Sequence, residues 1–223
     1  VGLQDSALLC ALCAWRFLCA LYGLYVERRV FKEGSGWAVL SYTLNSWNLA
    51  IALNALRLCL GLLDLAHRLG IASDPASSSL WMFFAFAAEI LRYPSLVTTI
   101  VTFSIWWGVL APIFAVGGAV RDGFKGFVAA VSFNFHFTMF SVHVLNVPIA
   151  LVESLLFPRQ LAVSDLFVGC CHLLGYVIIY LKCLDANYVH IYIPLNPRTN
   201  FSIFVHFLLI WLYGKTWIHF SSS

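Results

Sequence analysis

Charge is scarce in this sequence. Of 223 residues, 13 are Lys or Arg and 10 are Asp or Glu, a charged share of 10%. A soluble chain carries about a quarter, so a soluble globule and a disordered chain are both poor fits. The net charge of +3 is too small a footprint for DNA or RNA, so no nucleic-acid partner is expected. Alternation of polar and apolar residues at barrel-strand length is also missing, which argues against a transmembrane β-barrel. No GxxxxGK[ST], GxGxxG or HExxH occurs, so nucleotide and zinc-protease readings find no support. No repeat and no linker divides the chain, which reads as one domain over 1–223.

What is present is apolar. Hydrophobic residues make up 61% and the mean hydropathy is +0.87, which predicts an all-α, polytopic membrane protein. A spanning helix needs about 20 mostly apolar residues. Six windows qualify, roughly 6–26, 37–63, 93–119, 127–157, 163–184 and 201–220. Within the long run 80–119, Pro94 predicts a short interfacial segment up to about Arg92, followed by a single span.

Lys and Arg in short loops set orientation. Arg28, Arg29, Lys32, Arg121, Lys125, Lys182 and Arg198 follow spans one, three and five, against Arg68, Arg159 and Lys215 on the other side. The first set is expected to face the cytoplasm, or the matrix in a mitochondrial inner membrane. Trp37, Trp81, Trp211 and Trp217 sit near span ends, as an aromatic belt places them. The chain begins at Val1 rather than Met, as it would if an N-terminal segment had been removed or left out.

The seven Cys include a C-x-x-C at Cys10 and Cys13. It lies in an apolar helix without partners at zinc spacing and reads as small packing residues. No metal site and no cofactor is expected. Six of the seven His fall in the C-terminal half, and intramembrane ionisable groups point to function by default. A haem would need two His at matched depth, for which His143 with His172 or His206 could serve.

Two helices carry polar stripes. In the fourth span, Ser132, His136, Met139, His143, Asn146, Ala150 and Glu153 share a face at 100° per residue. In the second, Ser41, Asn45, Asn48, Ala52, Ala55 and Cys59 share one, with Thr43, Asn54 and Arg57 pointing elsewhere. Such stripes serve either as helix–helix glue or as the wall of a polar pocket. Facing each other, they would bring together a hydroxyl, a His and carboxamide donors, a minimal hydrolytic set.

At these two helices the sequence resembles the androgen-induced-gene family. W-A-V-L-S, Trp37 to Ser41, is similar to that family's W-x-x-L-T element opening the second span. H-V-L-N-V-P-I-A-L-V-E, His143 to Glu153, has its spacing of His, Pro and Glu. Tyr93-Pro94 with Trp106, and Gly175-Tyr176 with His190-Ile191-Tyr192, resemble further elements. The resemblance implies a six-span hydrolase of lipid esters (fatty acid esters of hydroxy fatty acids), without metal or organic cofactor. It implies Ser41 as nucleophile in place of Thr and His143 as general base, to which the polar stripes would add Asn45, Asn48 and Asn146 as polar support. It also implies the endoplasmic reticulum or plasma membrane. Aligning on Asn48-Leu49 instead puts Asn45 at the nucleophile position and makes the chain inactive. The tiny loops and the imperfect nucleophile match equally suit a non-catalytic accessory subunit of a larger membrane complex, for example in the mitochondrial inner membrane. Its partners would be other subunits and lipids.

Overall fold

In hydrocarbon there is no water to bond to backbone N–H and C=O groups, so an apolar run must satisfy them within itself. Helix is the result throughout. The computed structural model describes residues 3–33, 40–71, 78–156, 160–189 and 200–221. Its helices are α1 (Leu3–Glu33), α2 (Tyr42–Arg68), α3 (Ser79–Ile105), α4 (Ala111–Asn134), α5 (Phe137–Phe140), α6 (Asn146–Leu156), α7 (Val163–Ile179) and α8 (Asn200–Ser221). Among the described residues there is no strand, and the chain adopts the all-α class its composition predicts. Among the described residues, six stretches are long and apolar enough to cross a membrane: Ser6–Glu33, Tyr42–Arg68, Ser79–Asn134, Phe137–Leu156, Val163–Asn187 and Ile203–Ser221. The chain is an integral, multi-pass membrane protein.

The middle of the chain departs from the expected spans. Instead of an interfacial segment ending near Arg92, α3 runs unbroken from Ser79 through Pro94. Tertiary packing holds it there: Tyr93 is fully buried and its hydroxyl donates to the Tyr213 carbonyl on α8 at 2.7 Å. Nor does the third span simply end near residue 119. A π-helical turn at Trp106–Leu110 leads into α4, whose backbone reverses at Asp122 and Gly123. Gly123 has φ 61° and ψ −146°, a region essentially restricted to glycine. The two arms then meet at Gly118 and Gly126, where a Cβ on Gly126 would collide with the Gly118 carbonyl. A straight helix would hold residues eight apart about 12 Å from each other. The reversal therefore makes a helical hairpin sealed by small residues.

In the expected fourth span, the chain breaks at Phe135–His136, where His136 adopts ψ 141°. A π-helical turn at Ser141–Leu145 joins α5 to α6, and a third, Tyr180–Leu184, ends α7.

α3 is the spine of the molecule. It packs along α2 and also against α6, α7 and α8, while α1 packs on α2. Lipid tails are as apolar as leucine, so close fit and polar ties must hold spans together. Close fit joins α1 to α2, with Gly23 against Ile51 and Gly61 against Cys13. The polar tie is a buried triad. Glu153 of α6 pairs with Arg16 of α1 at 2.8 Å and with Arg57 of α2 at 3.0 Å. On the far side of α3, a tyrosine-rich core gathers Tyr42, Tyr93, Tyr176, Tyr180 and Tyr213.

Candidate functional site

The three π-helical turns converge. An inserted residue widens the helix and re-aims the side chains around it, which is why such turns cluster at functional sites. Here Trp106, His143 and Tyr180, one from each turn, line a single cavity of about 140 Å³. α2 contributes Tyr42 and Thr43, α3 Val101 and Thr102, α7 Leu173 and Tyr176, and α8 Val205, His206 and Leu209. Every span except the first shapes it. The wall is almost wholly carbon, so the space suits hydrocarbon rather than a charged metabolite.

One polar group stands out in that wall. The His143 imidazole is 3% exposed and lies flat on the Trp106 indole, ring centroids 3.7 Å apart and planes 13° from parallel. Its Nδ1 has no hydrogen-bond partner. The stack with Trp106, rather than a carboxylate, sets the ring's orientation. Thr43 and Thr102 bring hydroxyls to the same cavity from α2 and α3.

Of the catalytic and polar-support residues the sequence nominates, the structure brings only His143 to this wall; His206, paired with it in the haem reading, lines it as well. Ser41 is the N-cap of α2 and its Oγ accepts from the Leu44 N–H at 3.1 Å. That is the usual use of serine where a helix leaves its first donors unpaired. Asn45 contacts Nε2 of His172 through its side-chain Nδ2 at 3.3 Å, and Asn48 is half-buried. Asn146 is fully buried, with both amide atoms lacking a hydrogen-bond partner. Ser41, Asn45, Asn48 and Asn146 are not among the described residues lining the cavity. Trp37 to Val39, and His190 to Tyr192, lie outside the described residues.

No family model matches the chain, and no curated protein or solved structure matches it.

Both polar stripes need correction. In the fourth span the expected face survives only from His143 onward: His143, Asn146, Ala150 and Glu153 are buried, whereas Ser132 and His136 are exposed. A constant 100° per residue cannot pass through the break at His136 and the π-helical turn after it. On α2 the interior side is the other one. Thr43, Ser46, Asn54 and Arg57 are buried, and Asn45 and Asn48 are only half so. The Glu153 carboxylate draws Arg57 inward, because a guanidinium at membrane depth needs a counter-charge.

Arg16, Ser46 and Thr99 were invisible to motif reading. A usable signal existed for Arg16: an arginine in the middle of an apolar run demands a buried acid, and Glu153 is the acid at comparable depth. No group of three or more His, Cys, Asp or Glu able to hold a metal occurs among the described residues.

Proposed function

We propose that this protein hydrolyses lipid esters within the membrane, using Thr43 as nucleophile and His143 as general base. The carrying observation is that these two side chains line one hydrocarbon-walled cavity. The resemblance of the His143–Glu153 segment to the androgen-induced-gene family supports the same chemistry. The role assigned on sequence to Ser41 passes to Thr43, because Thr43, not Ser41, shares the cavity with the base.

The steps follow from the groups. The acyl chain lies against Val101, Leu173 and Leu209. His143 takes the Thr43 hydroxyl proton as Oγ1 attacks the ester carbonyl carbon, and the tetrahedral oxyanion forms. Its collapse breaks the bond to the leaving alkoxide, which receives the proton from His143. Water then attacks the acyl-threonine ester while His143 accepts a water proton and returns it to the departing Thr43 oxygen. One ester and one water become one acid and one alcohol.

Purified protein in lipid nanodiscs, exposed to a fluorophosphonate probe, is expected to label at Thr43. Labelling should disappear in Thr43→Ala and His143→Ala and persist in Ser41→Ala. Absence of labelling in the unmodified protein, or its persistence in both cavity variants, overturns the proposal.

A second reading has its own observation. His143 Nδ1 has no hydrogen-bond partner, so no acceptor orients the ring as in hydrolytic triads. A non-catalytic subunit that keeps a lipid chain in the cavity also accounts for the carbon wall. This reading predicts purification within a larger complex and no labelling, and it suits a mitochondrial inner membrane. The hydrolase reading suits the endoplasmic reticulum or plasma membrane.

A further inference from the structure

A second set of buried polar atoms leads away from the cavity. Asn54 Oδ1 on α2, Ser95 Oγ and Thr102 Oγ1 on α3, His143 Nδ1, and both amide atoms of Asn146 on α6 have no hydrogen-bond partner. All five residues are at most 4% exposed. α2, α3 and α6 pack against one another, and two contacts fix their relative register. Ser46 Oγ lies 3.4 Å from Thr99 Oγ1, and Arg57 reaches Glu153 at 3.0 Å.

Along α2 the buried positions 43, 46, 50, 54 and 57 recur every three or four residues, as one helical face does. Along α3 the positions 95, 98, 99 and 102 do the same in the opposite direction. Along the fourth span 143, 146, 150 and 153 complete the set. The three faces therefore form one file. It starts at Thr43, Thr102 and His143 in the cavity wall. It ends at the Arg16–Glu153–Arg57 triad, ten residues or about 15 Å from His143 to Glu153 by helix rise.

A buried polar atom left without a partner costs about 1–3 kcal/mol. Six such atoms in one file would consume most of the roughly 5–15 kcal/mol that stabilises a typical fold. Clustered polar groups of this kind are the normal hosts of ordered water, which takes two to four polar partners.

We infer that this file holds a chain of ordered water molecules and delivers the water consumed when the acyl-threonine ester is hydrolysed. The supply role rests on the hydrolase reading; the water file does not. An ester bond inside a carbon-walled cavity is shielded from bulk water, so the second half of the reaction needs such a route. The file runs toward the end of α6, which closes at Leu156 one turn beyond Glu153. With both its oxygens engaged by arginines, Glu153 acts there as an anchor rather than a proton carrier.

The test uses the full chain in liposomes, labelled with 15N-asparagine, in water-edited solid-state NMR. Signals are assigned by loss in Asn54→Leu and Asn146→Leu. The Asn54 and Asn146 side-chain amides should draw polarisation from water at rates within about threefold of exposed Asn187. Transfer tenfold slower or worse, as in a dry core, overturns the file. In the second arm, Asn54→Leu should slow release of the acyl group about tenfold or more while leaving fluorophosphonate labelling of Thr43 within about twofold. Unchanged release from a hydrated file overturns the supply role. A dry file in an active enzyme refutes the inference and spares the hydrolase. A hydrated file in a chain with no hydrolysis refutes the hydrolase and, with it, the supply.

Discussion

Glu153 ties three helices together. It is 1% exposed and holds two arginines from two other helices, and Arg16 also donates to the Arg57 carbonyl at 3.2 Å. Removing one member of such a group leaves charge without compensation, at a cost of about 3–5 kcal/mol. Glu153→Ala should therefore lower stability by about that much, read as a fall in the denaturant midpoint in detergent. Replacing the triad together, Arg16→Met with Arg57→Met and Glu153→Leu, should restore stability to near the starting value. If the single and triple variants unfold alike, the triad is not what joins these helices. At this scale the sequence was legible in part. His143 and Glu153 could be read as interior residues because ionisable groups are costly in lipid. Whether a hydroxyl caps a helix or lines the cavity was not legible. Ser41 and Thr43 offer the same hydroxyl two residues apart, and only the neighbouring helices distinguish them.

Elements were legible in number and poorly at their irregularities. Periodicity locates apolar helices but assumes a constant turn angle, and three π-helical turns, a reversal at Gly123 and a break at His136 each shift the phase. Pro94 misled for the converse reason: a helix gripped by neighbours tolerates proline, and α3 is gripped through Tyr93. The reversal makes its own prediction. Gly123→Val places a side chain where only glycine fits and should cost about 1–3 kcal/mol. Its effect should fall on the hairpin, measured as faster proteolysis between 111 and 134 with the cavity's ligand binding retained. Proteolysis at the original rate would show that the turn is not constrained.

Across the whole molecule, α3 divides the structure into two packings that share it. α1, α2 and α6 meet on one side through the Arg–Glu triad, and α7 and α8 meet on the other through tyrosines. The cavity lies between, and the water file runs on from it into the first packing. If the cavity holds a hydrocarbon chain, a larger side chain in its wall should exclude it. Val177→Phe is expected to lose the lipid that accompanies the purified protein in native mass spectrometry, with thermal stability equal or higher because the added ring fills space. Lipid retained at full occupancy would place it elsewhere.

Composition alone determined the solvent of this protein. With 10% charge and 61% hydrophobic residues, the chain can bury its backbone only as helices in lipid, and their approximate spans follow from the apolar runs. It could not determine which face of each helix turns inward. A helix that is apolar all round has no wet side to betray its dry one, so burial is chosen by partners. Arg57 is interior because Glu153 is, and His143 meets Trp106 because two π-helical turns re-aim them. Those pairings depend on residues far apart in sequence, and they exist only once the six spans have packed.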